Sequence, residues 1–356
     1  MKKRTVAVLV ALLTFVAGVA IAKFTLPRLR TPAAPPPPPT HELQLSYYRL
    51  SGPYQHDNLV IFMVHGPDQP FSGPYTPLQQ AMERKVVVVH ETSEVNELAI
   101  QNRSAAEEVF VQAGDIVKGG QQDRVLAVDL VLPVKSGRMP IDAFCVESGR
   151  WTQRGAEAAN QFSMTYDMAP SRDLKLATKA EANQAKVWQE VETARGELSE
   201  SVNSDVAGVA SRSSLQLALE NEKVQRSAAK YGDKLASLID EQSDVIGFVF
   251  AINNKLNSGE IYPSNAMFRQ FWTRLLKAAA VEAVAESSPA GRSANEAVSI
   301  EAAGEFLVAV EKGSESLREV TTRTHMLKRE SEQGIFFETR DMQHGGAWIH
   351  RSYLTK

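Results

Sequence analysis

The chain has 356 residues, 43% of them hydrophobic, with 39 basic and 42 acidic side chains and a net charge of −3. This is enough apolar material to core one large domain or two ordinary ones, and the even charge balance argues against a dedicated nucleic-acid binder, which carries a basic excess. A single cysteine, Cys145, rules out an intramolecular disulfide and a cysteine-rich zinc site, and no His-Glu-x-x-His pattern occurs, so neither metal nor cofactor is expected.

Lys2, Lys3 and Arg4 precede an uncharged stretch, 5–22, which ends in Ala20-Ile-Ala22, a small-x-small peptidase pattern. Residues 1–22 read either as a cleaved signal peptide or as a retained membrane anchor, slightly short of the about 20 residues of a full span. Both readings export the rest of the chain to the periplasmic side; in the second, residues 5–22 hold it in the inner membrane. Residues 23–40 form a linker with five consecutive prolines, 35–39, which favours a stiff polyproline II spacer. A single α+β domain is expected over 41–356.

Between 41 and 170 the pattern is strand-like. Residues 59–64, 86–89, 95–100, 109–111, 125–132 and 141–147 are short apolar runs rich in β-branched side chains and separated by Gly, Pro, Asn and Asp. Short spacers favour antiparallel hairpins, so a six- or seven-strand sandwich or barrel-like half is expected. A continuous strand over 124–132 would put Leu126, Val128, Leu130 and Leu132 on one face and Asp129 on the other.

From 175 to 312 helices dominate. The run 178–198 turns Val187, Val191 and Leu198 to one side. The run 213–239 spaces Leu217, Val224, Ala228, Tyr231, Leu235 and Leu238 as one stripe, and 264–285 gathers Phe268, Phe271, Trp272, Leu275, Leu276 and Ala279 on one face. A buried strand is expected at 245–252 and a loop at 286–296. Ser299 is expected to cap a fourth helix that Gly313 stops. Strands return over 316–354, where 334–338 and 348–354 flank His344-Gly-Gly346. The expected class is α+β: an antiparallel β-rich N-terminal half, helical additions and a C-terminal hairpin rejoining the sheet.

Polar side chains concentrate in 115–151. Lys118, Gly119, Gly120, Gln122 and Arg124 sit around a strand-turn-strand unit, and Glu147, Arg150 and Trp151 follow another strand. Gly119-Gly120 reads as a two-residue hairpin turn of positive φ, or as an anion-binding nest helped by Lys118 and Arg124, although a strand rather than a helix follows. Glu147, Arg150 and Trp151 read as a clamp, guanidinium paired with carboxylate and stacked on indole. They read equally as a pocket mouth, with Arg for an anion, Trp for stacking and Glu for a hydroxyl or proton. Cys145 shares a strand face with Glu147; a neighbouring carboxylate raises a thiol's pKa, so a buried structural cysteine is expected rather than a nucleophile. His350, mid-strand near the C-terminus, approaches the cluster if its strand rejoins the sheet. Neither a Ser-His-Asp spacing nor a Gly-x-Ser-x-Gly motif occurs.

The segments 109–125, Val-Phe-Val-Gln-Ala-Gly-Asp-Ile-Val-Lys-Gly-Gly-Gln-Gln-Asp-Arg-Val, and 145–151, Cys-Val-Glu-Ser-Gly-Arg-Trp, resemble a bacterial family of unknown function, the ARG and rhodanese-phosphatase-superfamily-associated protein domain. The likeness extends more weakly through 186–188 and 245–276 and ends at 350–354. It implies one domain with a β-rich core and helical additions. The family name implies association with ADP-ribosyl-processing and phosphatase-type proteins, hence a nucleotide- or ADP-ribose-like ligand. The matching positions are Gly119, Gly120, Gln122, Arg124, Glu147, Arg150 and Trp151.

Three functions are therefore expected alternatives. The leading one is an exported domain of the bacterial envelope that binds an anionic small molecule or an envelope protein through the 115–151 edge, Arg124 and Arg150 meeting the anion and Trp151 stacking. The second is a hydrolase of a nucleotide, ADP-ribose-like or sugar-phosphate substrate with Glu147 or His350 as general base, which requires Glu147, Arg150 and His350 to converge in one pocket. The third is a structural envelope module whose polar residues pair off with one another.

Overall fold

Strands and helices alternate in blocks along the chain. The first block is β1 (His41–Gln44), β2 (Arg49–His56) and β3 (Leu59–His65). The second is β4 (Thr76–Pro77), α1 (Leu78–Glu83), β5 (Val87–Glu91), β6 (Glu97–Asn102), β7 (Val109–Val111), β8 (Asp115–Gly119), β9 (Arg124–Leu126), β10 (Leu130–Leu132), β11 (Gly137–Cys145) and β12 (Phe162–Met168). Then α2 (Arg172–Lys175) runs into a π-helical turn (Leu176–Ala180), followed by α3 (Gln184–Ser201), α4 (Leu215–Leu219) and α5 (Glu222–Leu235). The last block is β13 (Val245–Ile252), β14 (Lys255–Ile261), α6 (Asn265–Ala285), α7 (Ile300–Val310), β15 (Ser314–Glu319), β16 (Thr324–Glu330), β17 (Gly334–Asp341) and β18 (Ala347–Thr355). The computed structural model describes residues 41–71, 73–157, 159–287 and 297–356. The expected leader and linker, and most of the expected loop at 286–296, lie outside the described residues. Among the described residues no helix is long and apolar enough to cross a membrane.

The strands form a nine-stranded sheet in the order β1-β2-β3-β13-β14-β18-β17-β16-β15, a six-stranded sheet in the order β12-β8-β9-β11-β6-β5, and a small β10-β7-β4 sheet. Every residue of β3 and β13 is buried, because both faces of the nine-stranded sheet are covered there. On one face Ile300, Phe306 and Leu307 of α7 pack on Leu50, Phe62 and Ile246. On the other, Phe268 and Trp272 of α6 and Tyr231 of α5 pack on Ile61, Phe248 and Phe250. A strand covered twice reads as an unbroken apolar run, as 245–252 does. Gly247 allows the tight pairing: a Cβ there would lie 2.4 Å from the Glu260 carbonyl oxygen. The six-stranded sheet curls around its own apolar core, which includes Val89, Leu98, Ile100, Val117, Leu126 and Ile141.

The α+β class, the barrel-like β-rich half and the returning hairpin are all observed; β17 pairs with β18, which pairs with β14. Four local expectations are corrected. The run 124–132 is two strands, β9 and β10, in different sheets, and Asp129 between them is 2% exposed because buried partners hold it inward. The run 213–239 is broken: α4 ends before Asn221, whose side chain accepts from the Lys223 amide and starts α5 afresh. The helix expected from 178 begins at Gln184, capped by Asn183. Gly119 and Gly120 both have positive φ, 119° and 55°, yet four residues, 120–123, separate β8 from β9 rather than a two-residue turn.

Candidate functional site

Most of the polar residues singled out in 115–151 close on one another. Arg150 grips Glu147 with two 2.6 Å bonds, Nε to Oε1 and Nη2 to Oε2, and donates its third nitrogen to the Thr152 and Gly120 carbonyls. Glu147 also accepts the Asp123 amide at 3.1 Å. Asp123 in turn takes two 2.9 Å bonds from Arg154, one from the Gly119 amide and one from the Ser214 hydroxyl. Glu147 and Asp123 are fully buried. Burial pushes the Glu147 carboxyl up, but Arg150, Ser211 and the Asp123 amide outweigh it and hold it below the usual range. Arg124, also fully buried, reaches the Gln122 carbonyl at 3.3 Å and Glu91 at 3.5 Å. Trp151 is 43% exposed. The unit works as a latch: two arginines cross-bracing two buried carboxylates across the 120–123 and 146–154 loops. Cys145 lies beneath it, with its backbone amide and carbonyl both bonded by the Gln184 side chain. Burial pushes its thiol up to about 11, and Glu91 and Glu147 add to that against Arg124, so it is not a ready nucleophile.

His350 belongs to a second, separate set in the nine-stranded sheet. Its Nδ1 lies 2.8 Å from Asp129, and its Nε2 makes a 2.9 Å ion-pair contact with Glu260 without hydrogen-bond alignment. Asp129 also accepts from Thr339 at 2.6 Å and from the Ala113 amide at 2.8 Å. Lys179 and Lys175 stand 3.8 Å from Asp129 and Glu260. Burial pulls the imidazole pKa down, but the two carboxylates outweigh it and raise it. Glu147 and His350 share no hydrogen-bond or ion-pair partner among the described residues.

An open site does border the sequence cluster. The two end strands of the six-stranded sheet, β5 and β12, touch at a single bridge, His90 to Gln161. Among the described residues no further pairing joins them, and a seam cleft of about 860 Å³ opens beside that bridge. Its floor is Asp167, which accepts a 2.8 Å hydrogen bond from Gln216 Nε2 and forms a 2.8 Å ion pair with Lys277 Nζ. Gln216 is 1% exposed and also donates to Glu220 at 3.1 Å. Two carboxylates fix its amide group as the inward end, leaving its Oε1 buried without a partner. Phe162, Met164 and Tyr166 of β12 supply apolar wall, while Lys85 and Arg103 stand exposed at the rim.

Of the nine residues predicted from sequence, three adjoin this cleft. Lys118 binds Glu220 with two 2.7 Å bonds. Gly119 pairs with Phe162 across β8 and β12, and a Cβ on Gly120 would strike the Phe162 ring at 2.4 Å. Gln122, Arg124, Glu147 and Arg150 serve the latch and its surroundings, and Trp151 stays on the surface. Asp167, Gln216 and Lys277 were missed. Their one signal was a glutamine inside the apolar run Leu215-Gln-Leu-Ala-Leu219, where a buried polar side chain needs a reason. Residues 47–354 match the family described as the ARG and Rhodanese-Phosphatase-superfamily-associated Protein domain. No curated protein and no solved structure matches the chain.

Proposed function

The chain belongs to the ARG and Rhodanese-Phosphatase-superfamily-associated Protein domain family, and on that premise we propose that it is a binding domain holding an anionic small molecule with an apolar body in the seam cleft. The observation that carries this reading is Gln216, a buried cleft-lining side chain whose Oε1 has no partner. An acceptor left dry costs about 1–3 kcal/mol unless a donor meets it, and a ligand hydroxyl or amide would be that donor. Charge supports an anion. Asp167 is matched by Lys277 and Glu220 by Lys118, so Lys85 and Arg103 at the rim remain as excess cations. A nucleotide- or ADP-ribose-like molecule, which the family name suggests, would set a base against Phe162 and Tyr166 and a phosphate near Lys85 and Arg103. Binding is preferred to turnover because Glu147 and His350 are each committed to their own buried partners.

The test is thermal-shift screening of the full chain with nucleotides, ADP-ribose and sugar phosphates, beside the double variant Lys85→Gln, Arg103→Gln. A native-state ligand at a hundred times its Kd adds about 2.7 kcal/mol. The expected result is a shift in the wild type that the double variant loses; both positions are exposed, so the variant keeps its fold. A shift that persists in the variant moves the ligand elsewhere, and no shift with any ligand favours the structural-module reading. We also propose that residues 1–40 export the domain and tether it, on the strength of the Lys2–Arg4 start, the uncharged 5–22 run and the proline spacer. A reporter enzyme active only outside the cytoplasm, fused after Lys356, would be inactive if this is wrong.

A further inference from the structure

A second cleft, of about 360 Å³, lies between α3 and α6 and shares no lining residue with the seam. Five carboxylates line it, Asp173, Glu190, Glu197, Glu282 and Glu286, against two cations, Arg172 and Lys255. Arg172 is already engaged by Asp173 at 2.8 Å. Among the described residues Glu190, Glu197 and Glu286 have no ion-pair partner. Like charges brought together on partly buried walls repel, and the two cations of the lining, Arg172 and Lys255, are outnumbered by its five carboxylates.

A separate observation points into the same cleft. Glu282 is 5% exposed; its Oε1 accepts from the Arg172 amide at 2.7 Å and from Asn257 at 2.8 Å, while its Oε2 has no partner. A buried carboxylate oxygen without a donor is costly, and a cation reaching it from the cleft would supply one.

The spacing of the charges selects the cation. Among the described residues no three acidic or histidine side chains are close enough to hold one metal ion. Glu190 and Glu197 are two turns apart on α3, about 10 Å along the axis at 1.5 Å per residue. Between the carboxylates the lining includes the aliphatic side chains of Ala194, Leu198, Ile252, Val281 and Ala285, beside Thr193 and Asn257. Separated negative charges joined by aliphatic surface complement separated ammonium groups joined by methylenes. We propose that this cleft binds a linear alkyl polyamine, one ammonium at Glu282 and the next toward Glu190 and Glu197.

The affinity should rise with pH. Burial lifts the Glu282 carboxyl to about 7, with Glu286 adding to it against Lys175, the Arg172 amide and Asn257. The other charged groups around it are Asp173 on α2, Glu190 and Glu197 on α3, and Lys255 on β14. Glu282 must ionise to pair with an ammonium, so binding strengthens between pH 6 and pH 8. Isothermal titration of the full chain with spermidine, putrescine and N-acetyl-lysine methylamide at both pH values tests this. Spermidine is expected to bind at least ~10-fold tighter than the single-ammonium probe, more tightly at pH 8, with a ~10-fold loss in the double variant Glu190→Gln, Glu197→Gln. Both substitutions fall on half-buried or exposed positions, so an unchanged melting temperature separates lost binding from lost fold. No binding by the wild type at pH 8, equal affinity for the single ammonium, or an unaffected double variant overturns the proposal.

Discussion

At the scale of single residues, the 115–151 cluster looks on paper like a binding mouth and behaves as a brace. The difference is whether each charge already has a partner. Arg154 gives Asp123 two bonds and Glu157 two more, and Arg150 is bidentate on Glu147. Arg154→Met would leave the buried Asp123 carboxylate with only the Gly119 amide and the Ser214 hydroxyl at hydrogen-bond distance. Removing one side of a buried pair costs roughly 3–5 kcal/mol, whereas Trp151→Ala, at a 43% exposed site, should stay within about 0.5 kcal/mol. Urea unfolding of the two variants separates the readings: if Trp151→Ala destabilises as much as Arg154→Met, the latch account fails. The same residue-level accounting explains what sequence could not supply. Glu147 and Arg150 were legible as partners because they are three apart, but Asp123 and Arg154 are distant in sequence and meet only through the fold.

At the scale of elements, periodicity exposed what depends on neighbouring residues and missed what depends on a remote partner. The span of β13, the start of α6 behind Ser264 and the Ser299 cap of α7 follow from apolar runs and local hydrogen bonds. The split of 124–132 does not, because Asp129 is turned inward by His350 and Thr339, more than two hundred residues later. That contact ties the β9–β10 junction to β18 and has a pH signature. His350 has a folded pKa raised above its usual 6.5 by Asp129 and Glu260, against the opposing effect of burial. Its contribution is therefore fully present below 6.5 and is lost as pH rises through the higher folded value. Unfolding free energy of the wild type is expected to decline as pH rises above 6.5. His350→Gln cannot carry that charge, so its profile should lack this decline. Parallel slopes above pH 6.5 in the two proteins would mean that the imidazole is neutral in the fold.

At the scale of the whole molecule, the nine-stranded sheet joins the beginning, middle and end of the described chain: β3 pairs with β13, and β18 fills the place between β14 and β17. The sequence disclosed a returning hairpin but assigned the first strands to the β-rich half, since nothing local distinguishes a strand that pairs nearby from one that pairs nearly two hundred residues away. The last strand is therefore a central member of the sheet, and the first and last strands of the described chain differ sharply in what they hold. In β18, Ile349, Tyr353 and Leu354 are fully buried, together worth about 5–9 kcal/mol at 1.5–3 kcal/mol each. That is comparable to the 5–15 kcal/mol net stability of an ordinary domain. Removing 347–356 also strips hydrogen-bond partners from both β14 and β17 and takes His350 away from Asp129 and Glu260. By contrast β1 is an edge strand with three of its four residues exposed. Deletion of 347–356 should abolish cooperative thermal unfolding, while deletion of 41–44 should lower the melting temperature by only a few degrees. Circular dichroism melts of the two truncations decide the point: a cooperative transition without β18 would mean that the sheet closes by another route and that the C-terminal strand is an addition rather than its keystone.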